Sequence, residues 1–137
     1  MSHPYLPHPP LPAVLVEALS QRFGSRFSVS QAVREQHGRD EPVHPAAAPD
    51  AVVFAESTGE VAEAVRLCCA HRVPVIPFGA GSSVEGHFLA IHGGVNIDLN
   101  GMNRVIAVHP EDLDATVQPG VTRKQLNAEL HGTGLFL

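Results

Sequence analysis

Several residue types are scarce in this sequence of 137 residues, and each scarcity narrows the choice of function. The two cysteines, Cys68 and Cys69, are adjacent and cannot join distant segments, so no disulfide framework is expected and the chain is predicted to be cytoplasmic. Lacking a C-x-x-C spacing, they are predicted to be buried small hydrophobic residues rather than a metal or redox pair. Aromatic residues make up 5% of the chain and include no Trp, which leaves few surfaces for stacking nucleic-acid bases.

A net positive charge and long apolar runs are also missing. The formal net charge is -5, so no basic stripe is available to neutralise the phosphates of a nucleic acid. No apolar run approaches the roughly 20 residues that a membrane span needs. Residues 1–10 have neither the basic nor the apolar part of a signal peptide and predict a flexible, proline-rich leader. The nine histidines show no metal-ligand spacing, and we expect most of them on the surface.

The chain does contain short apolar runs that alternate with amphipathic helices. Apolar spacing predicts a helix over Leu11–Phe23, and residues 34–50 predict an extended connector with a solvated, charged face. Two capping boxes predict where helices start, one formed by Ser57 with Glu60 and the other by Thr122 with Gln125. After the first box, one apolar stripe is formed by Val61, Ala64, Val65, Cys68 and Cys69. Strands are predicted over residues 51–55, 73–77 and 94–99, in a hairpin of 104–109 with 114–118, and from 135 onward.

A glycine-rich loop follows the strand over residues 73–77, and its sequence is Phe-Gly-Ala-Gly-Ser-Ser-Val-Glu-Gly over residues 78–86. Glycine lets backbone N–H groups approach an anion, and two serines add hydroxyl donors, which is the chemistry of a diphosphate cradle. The dinucleotide fingerprint G-x-G-x-x-G is excluded by Val84. The P-loop is excluded because His87 and Phe88 stand where Lys and Ser or Thr are required. On spacing alone, a surface turn without a ligand remains an equal alternative.

Four blocks in order resemble the FAD-linked oxidase family, whose flavin domain is shared with p-cresol methylhydroxylase and vanillyl-alcohol oxidase. The blocks are residues 75–83, 93–99, 102–105 and 117–122, and the resemblance runs from about residue 34 to residue 137. Within the family, the chain is most similar to the branch of D-lactate dehydrogenases and glycolate oxidase subunits, to which residues 34–41 also contribute.

The resemblance implies an α+β fold with α/β-like parts, namely the first subdomain of a two-subdomain FAD-binding fold of the p-cresol methylhydroxylase type. Such a subdomain has a small mixed sheet with a βαβ unit, a hairpin and flanking helices. Residues 1–33 would be a leader and helix, and residues 34–137 the first part of the FAD-binding domain. The second subdomain and the substrate domain would be absent, so we expect the 137-residue chain alone to be inactive.

The resemblance also implies the cofactor-binding residues. The diphosphate of FAD would contact Pro77, Phe78, Gly79, Ala80, Gly81, Ser82, Ser83, Val84, Gly86 and His87. The flavin end would contact Pro119, Gly120 and Val121, with glycine avoiding a clash with the ring system. Because Ser82 stands where covalent-flavin members carry histidine, non-covalent FAD is implied. No catalytic residue and no metal ligand is assigned within the chain.

The implied activity is oxidation of a D-2-hydroxy acid, with D-lactate the first candidate, by hydride transfer to flavin. The electron acceptor would be a cytochrome or quinone, a homodimer is possible, and neither nucleic acid nor a transmembrane segment is expected. The alternative is a non-catalytic module that binds FAD or a related diphosphate. A structural domain without a ligand is a third reading, but it leaves the loop over residues 79–86 unexplained.

Overall fold

A computed structural model describes residues 7–39 and 45–137 of the chain. Its elements, in chain order, are α1 (Ala13–Phe23), a 3₁₀ turn (Gly24–Arg26), β1 (Phe27–Ser28), α2 (Gln31–Gln36), β2 (Ala51–Phe54), α3 (Thr58–Ala70), β3 (Val75–Phe78), β4 (Val95–Asp98), β5 (Val105–His109), β6 (Asp114–Val117) and α4 (Arg123–Glu129). The predicted leader at residues 1–6 and the part of the predicted connector at residues 40–44 lie outside the described residues.

The main sheet has four strands in the order β1-β2-β4-β3. Strands β2 and β3 both run parallel to β4, which lies between them, and β1 pairs antiparallel with β2. The predicted βαβ unit is therefore β2-α3-β3 with β4 inserted between its two strands. The predicted hairpin is also confirmed, because β5 and β6 pair antiparallel.

One face of the sheet packs against α1 and α3. The buried residues of this core are Leu15, Leu19, Phe23, Ala51, Val53, Ala55, Ala64, Cys68, Val95, Ile97 and Met102. The predicted stripe of α3 is wrong in part, because Val65 is 41% exposed and Cys69 is exposed. Of the two cysteines, only Cys68 is the buried small hydrophobe that was predicted, and burial raises the pKa of its thiol to about 11.

The other face of the sheet carries the alternate residues of the central strands, such as Asn96 and Asp98 of β4. The end of helix α2 covers this face, where His37 contacts Asp98. Two loops also cover it, and a hydrogen bond from the Ala90 N–H to the Ala47 carbonyl joins them. Asn96 is fully buried, and its side-chain amide has no hydrogen-bond partner among the described residues.

Two predictions from the sequence are corrected here. The expected extended connector begins instead as helix α2, and His37 and Gly38 at its end are buried rather than solvated. Helix α2 stays close to the sheet because Arg34 Nε donates a hydrogen bond to the Pro49 carbonyl at 2.6 Å. The strand expected from residue 135 onward is also wrong, since residues 135–137 have no regular secondary structure.

Candidate functional site

The carboxyl ends of β2, β3 and β4 lie at one edge of the sheet. Phe54 of β2 and Phe78 of β3 are both in register with Asp98 of β4, so the three parallel strands end together. Open α/β sheets bind their ligands at this edge. The loops that leave it are residues 55–57, which lead into α3, the glycine-rich loop after β3, and residues 99–104 after β4.

The glycine-rich loop has the backbone that an anion site requires. Gly81 and Gly86 have φ angles of 68° and 74°, a region that residues with side chains rarely adopt. A Cβ at Gly81 would also lie 2.7 Å from the ring of Phe78. The N–H groups of Ala80, Gly81 and Ser82 have no acceptor among the described residues, so three consecutive donors are free for a ligand. We infer that the loop can hold an oxyanion.

The side chains of the predicted loop residues fall into two groups. Phe78 is buried and supports the loop from below, so its ring is not available to a ligand. Ser82, Val84 and His87 are exposed, as are Pro77 and Ala80. Ser83 is half-buried, and its Oγ accepts a hydrogen bond from the Glu85 N–H at 3.3 Å.

His87 has two contacts of its own. Its Nε2 is 3.4 Å from a carboxylate oxygen of Glu85, in a pair that is about three-quarters exposed. Its Nδ1 lies 3.5 Å from Ser83 Oγ. His87 therefore belongs to the exposed rim of the loop.

The second predicted segment, Pro119–Val121, meets the same edge through the loop after β4. The Gly120 N–H donates a hydrogen bond to the Met102 carbonyl at 2.8 Å. A Cβ at Gly120 would clash with the carbonyl oxygen of Leu99 and lie 2.9 Å from those of Asn100 and Met102. The closeness of these carbonyl groups requires glycine at position 120 even without a cofactor. The sequence did not predict this reason.

Asn100 joins the two segments, and the sequence analysis missed it. Its side-chain Nδ2 donates to the Gly79 carbonyl at 2.7 Å and to Asp98 Oδ1 at 2.8 Å. Its own carbonyl is among those that approach Gly120. The available signal was an Asn two residues after a strand-ending Asp, a pattern that local turns also use.

A buried ion pair lies beneath this edge. His37 Nε2 is 2.9 Å from Asp98 Oδ2, and His37 Nδ1 is 2.8 Å from the Val33 carbonyl. Burial lowers the pKa of His37, but the hydrogen bonds to Asp98 and Val33 outweigh it and leave the pKa raised. Burial raises the pKa of Asp98, yet hydrogen bonds from His37 and Asn100 leave it lowered. Each shift therefore favours the charged form of its group.

Aromatic contacts connect this pair to the glycine-rich loop. The ring centroids of His37 and Phe78 are 4.5 Å apart, and Phe88 meets Phe78 edge to face at 5.1 Å. His37 is an exception to the expectation that most histidines lie on the surface, because it is 3% exposed. Within the chain sections that the structure describes, no group of three or more His, Cys, Asp or Glu residues could hold a metal ion, and no helix is long and apolar enough to cross a membrane.

A cavity of about 290 Å³ lies at the opposite, amino edge of the sheet. Its lining includes residues that precede the strands, namely Asp50, Pro74 and Gly94, together with residues of the 8–12 segment. It is remote from the glycine-rich loop because the strands separate the two edges.

Comparison with known proteins agrees with this geometry. Residues 49–137 match the family described as FAD binding domain. A probable mitochondrial D-lactate dehydrogenase of Danio rerio is 52% identical over 109 residues, which cover 80% of this chain and 22% of that protein. The glycolate oxidase subunit GlcD of Bacillus subtilis is 33% identical over 121 residues, which cover 88% of this chain and 26% of that protein.

Solved structures give the same result for the fold. p-Cresol methylhydroxylase with substrate bound superposes with a TM-score of 0.76 at 28% identity, covering 89% of this chain and 25% of that chain. An alkyldihydroxyacetonephosphate synthase superposes with a TM-score of 0.80 at 25% identity, covering 97% of this chain and 27% of that chain. The predicted fold class is confirmed. The chain spans less than a quarter of the length of the D-lactate dehydrogenases of Danio rerio and Arabidopsis thaliana that it matches, at 22% and 23%.

Proposed function

Because this chain belongs to the FAD binding domain family, we propose that it is part of an FAD-dependent dehydrogenase that oxidises a D-2-hydroxy acid, with D-lactate as the first candidate. The observation that carries the proposal is the loop of three consecutive unpaired N–H groups at the carboxyl edge of the sheet, within the described residues. A diphosphate is the part of FAD that such a loop would bind.

The loop residues have distinct parts in this proposal. The N–H groups of Ala80, Gly81 and Ser82 would bind the diphosphate, since they have no other acceptor among the described residues. Phe78 would hold the loop from below. The remaining residues that the resemblance assigned to this end, Pro77, Gly79, Ser83, Val84, Gly86 and His87, would line the same path.

Pro119–Val121 would lie toward the flavin end. The hydrogen bond from Gly120 to Met102 fixes this segment beside the loop after β4. By the resemblance, Ser82 stands where covalent-flavin relatives hold histidine, which supports non-covalent FAD.

Bound flavin would supply the hydride acceptor for the alcohol carbon of the substrate. The residues of this chain bind and orient, and none of them is proposed as the catalytic base. The substrate class rests on relatives whose names describe D-lactate dehydrogenases, a glycolate oxidase subunit and D-2-hydroxyglutarate dehydrogenases. A cytochrome or quinone as acceptor and a homodimer are parts of the same proposal, and D-lactate dehydrogenase [cytochrome] is the name of the Arabidopsis relative.

Three expectations stay predictions. One is the division into a leader and helix over residues 1–33 and a domain over 34–137. Another is that the 137-residue chain alone is inactive. The third is a cytoplasmic location, which rests on the cysteine pattern, whereas the names of the Danio and Arabidopsis relatives describe mitochondrial proteins.

Flavin bleaching in the full-length protein tests the proposed activity. The visible absorbance of the oxidised flavin is followed by stopped flow after mixing with D-lactate, L-lactate, glycolate or D-2-hydroxyglutarate in the absence of an acceptor. We expect D-lactate to bleach the flavin fastest. Bleaching by L-lactate alone would contradict the stereochemistry, and no bleaching by any of the four acids would contradict the substrate class.

A further inference from the structure

Nothing in the glycine-rich loop itself fixes the peptide group between Gly79 and Ala80. Gly79 has no side chain, and a Cβ placed there would meet no heavy atom within 4 Å. Ala80 is exposed. Among the described residues, Asn100 alone donates a hydrogen bond to the Gly79 carbonyl, at 2.7 Å. The orientation of this peptide therefore depends on the amide of Asn100.

The direction of the Gly79 carbonyl decides the direction of a neighbouring donor. None of the described peptide bonds is cis, and in a trans peptide the C=O and the following N–H point to opposite sides. With the Gly79 carbonyl held toward Asn100, the Ala80 N–H points away from it. If this peptide rotated, a carbonyl oxygen would take the place of the N–H and repel an anion.

The amide of Asn100 is itself held in one orientation. Its Nδ2 faces two acceptors, Asp98 Oδ1 and the Gly79 carbonyl, so a flipped amide would set an oxygen against both. Its backbone N–H also donates to Asp98 Oδ1 at 2.8 Å. The other oxygen of Asp98 accepts from His37, whose second nitrogen donates to the Val33 carbonyl. A buried ion pair thus anchors Asn100.

On these grounds we propose that Asn100 is a positioning residue for the cofactor diphosphate, which turns the Gly79 carbonyl toward the loop after β4 and so presents the Ala80 N–H to the anion. The inference rests on the proposed FAD site and adds a residue that the resemblance did not assign. The His37–Asp98 pair fixes Asn100 from within the sheet. Asn100 need not touch the cofactor.

The test is titration of FAD into the full-length protein after removal of its flavin. Asn100→Ala removes the donor to Gly79, and Asn100→Asp keeps the shape but sets a carboxylate against the Gly79 carbonyl and Asp98. Asn103→Ala is the matched control, because the exposed Asn103 side chain forms no hydrogen bond among the described residues. Riboflavin, which lacks the diphosphate, is titrated in parallel.

We expect Asn100→Ala to raise the Kd for FAD about tenfold, which corresponds to about 1.4 kcal/mol, and Asn100→Asp to raise it further. Riboflavin affinity should stay at its wild-type value in both variants, and all three readouts should do so in Asn103→Ala. The urea midpoint should fall in Asn100→Asp, because its carboxylate would face Asp98 and the Gly79 carbonyl. If riboflavin binds too weakly to titrate, the phosphorus NMR spectrum of bound FAD replaces it, and we expect its resonances to shift in Asn100→Ala but not in Asn103→Ala.

Two results would overturn the proposal. One is FAD affinity within twofold of wild type in both Asn100 variants. The other is an equal loss of FAD and riboflavin affinity, or unshifted phosphorus resonances, because a positioning role acts on the diphosphate alone. Gly81→Asp in the same titration distinguishes failure of the positioning role from failure of the proposed FAD site. If Gly81→Asp abolishes FAD binding and the Asn100 variants do not weaken it, only the positioning role fails, whereas normal binding by Gly81→Asp removes the site itself.

Discussion

The ion pair between Arg26 and Glu60 gives the sharpest quantitative prediction for stability. Arg26 donates from both terminal nitrogens to the two oxygens of Glu60, at 2.7 and 2.6 Å. Glu60 Oε2 also accepts from the Glu56 N–H at 2.9 Å. The Glu60 side chain is 12% exposed and the Arg26 side chain 29%. The pair joins the 3₁₀ turn after α1 to the first turn of α3.

The pKa of Glu60 sets the size of the effect. The hydrogen bond from Arg26 lowers this pKa from 4.5 to about 2, against the opposing effect of burial. A displacement of that size corresponds to about 3 kcal/mol at neutral pH. Because Arg26 is in contact with solvent, screening reduces the figure, and we expect about 1–2 kcal/mol.

The direction of the pH dependence of stability follows from whether the folded or the unfolded chain binds a proton at Glu60 first as the pH falls. The folded pKa lies below the unfolded pKa, so the unfolded chain is protonated first as the pH falls. The stabilisation is fully present above the unfolded value near 4.5 and is lost as the pH falls toward about 2. The wild-type protein should therefore lose this advantage over Glu60→Gln in acid.

Urea unfolding of the wild type, Glu60→Gln and Glu63→Gln at pH 7 and pH 3 measures the effect. Glu63 is the control because it pairs with Arg22 by a single short contact, with both side chains more than a third exposed. Glu60→Gln should cost about 1–2 kcal/mol at pH 7 and less than about half of that at pH 3, and Glu63→Gln under about 0.5 kcal/mol. A Glu60→Gln cost that is the same at both pH values, or equal to that of Glu63→Gln, would refute the reasoning.

Two further predictions concern backbone packing and a buried amide. Gly120→Ala should destabilise the flavin-free protein by about 1–3 kcal/mol in urea unfolding, because its Cβ would meet backbone carbonyls. The control is Gly59→Ala in α3, which should not destabilise the protein, because the atom nearest to the new Cβ is 3.9 Å away. Wild-type stability in Gly120→Ala would mean that glycine is needed there only for the cofactor. Asn96→Leu keeps the branched shape and removes an amide with no partner among the described residues, so the free energy of unfolding should rise by about 1 kcal/mol, and a fall would show that the amide is satisfied.

The elements with a strong local pattern could be predicted from the sequence. Helix α3 begins at its predicted cap, where Ser57 Oγ accepts from the Glu60 N–H at 3.2 Å, and α4 begins at Thr122 in the same way. Neither box closes as its sequence pattern implies, because Glu60 Oε2 accepts from the Glu56 N–H and Gln125 Nε2 donates to the Asn103 carbonyl. The N-cap bond joins near neighbours in the sequence, so the start of each helix can be predicted from the sequence. The partner of the Glu or Gln side chain depends on the folded surroundings, so it cannot.

The missed features depend on contacts between distant parts of the chain. His37 and Asp98 are separated by 61 positions, and the charged residues around His37 resemble a solvated surface. Strand β1, with two residues, is too short to have a period, and it exists through its pairing with β2. The position of β4 between β2 and β3 is likewise a property of the whole sheet.

The candidate site shows the same division. Clustered glycines and serines after a strand made the loop over residues 79–86 visible in the sequence. Asn100 lies 21 positions from Gly79, and its part in the site depends on β3 and β4 being neighbours. The reason for glycine at position 120 was likewise invisible, because it is the approach of residues 99–102.

Whether the glycine-rich loop holds the diphosphate of FAD is tested most directly by the visible spectrum and FAD content of the purified full-length protein. Wild type is compared with Gly81→Asp, which adds bulk and negative charge where φ is 68°, and with Gly24→Asp, which adds the same group at a φ of 54° in the turn after α1 with no atom within 4 Å. We predict that wild type and Gly24→Asp purify yellow with equal FAD content and that Gly81→Asp purifies folded and colourless. A yellow Gly81→Asp protein with the FAD content of wild type would contradict the account.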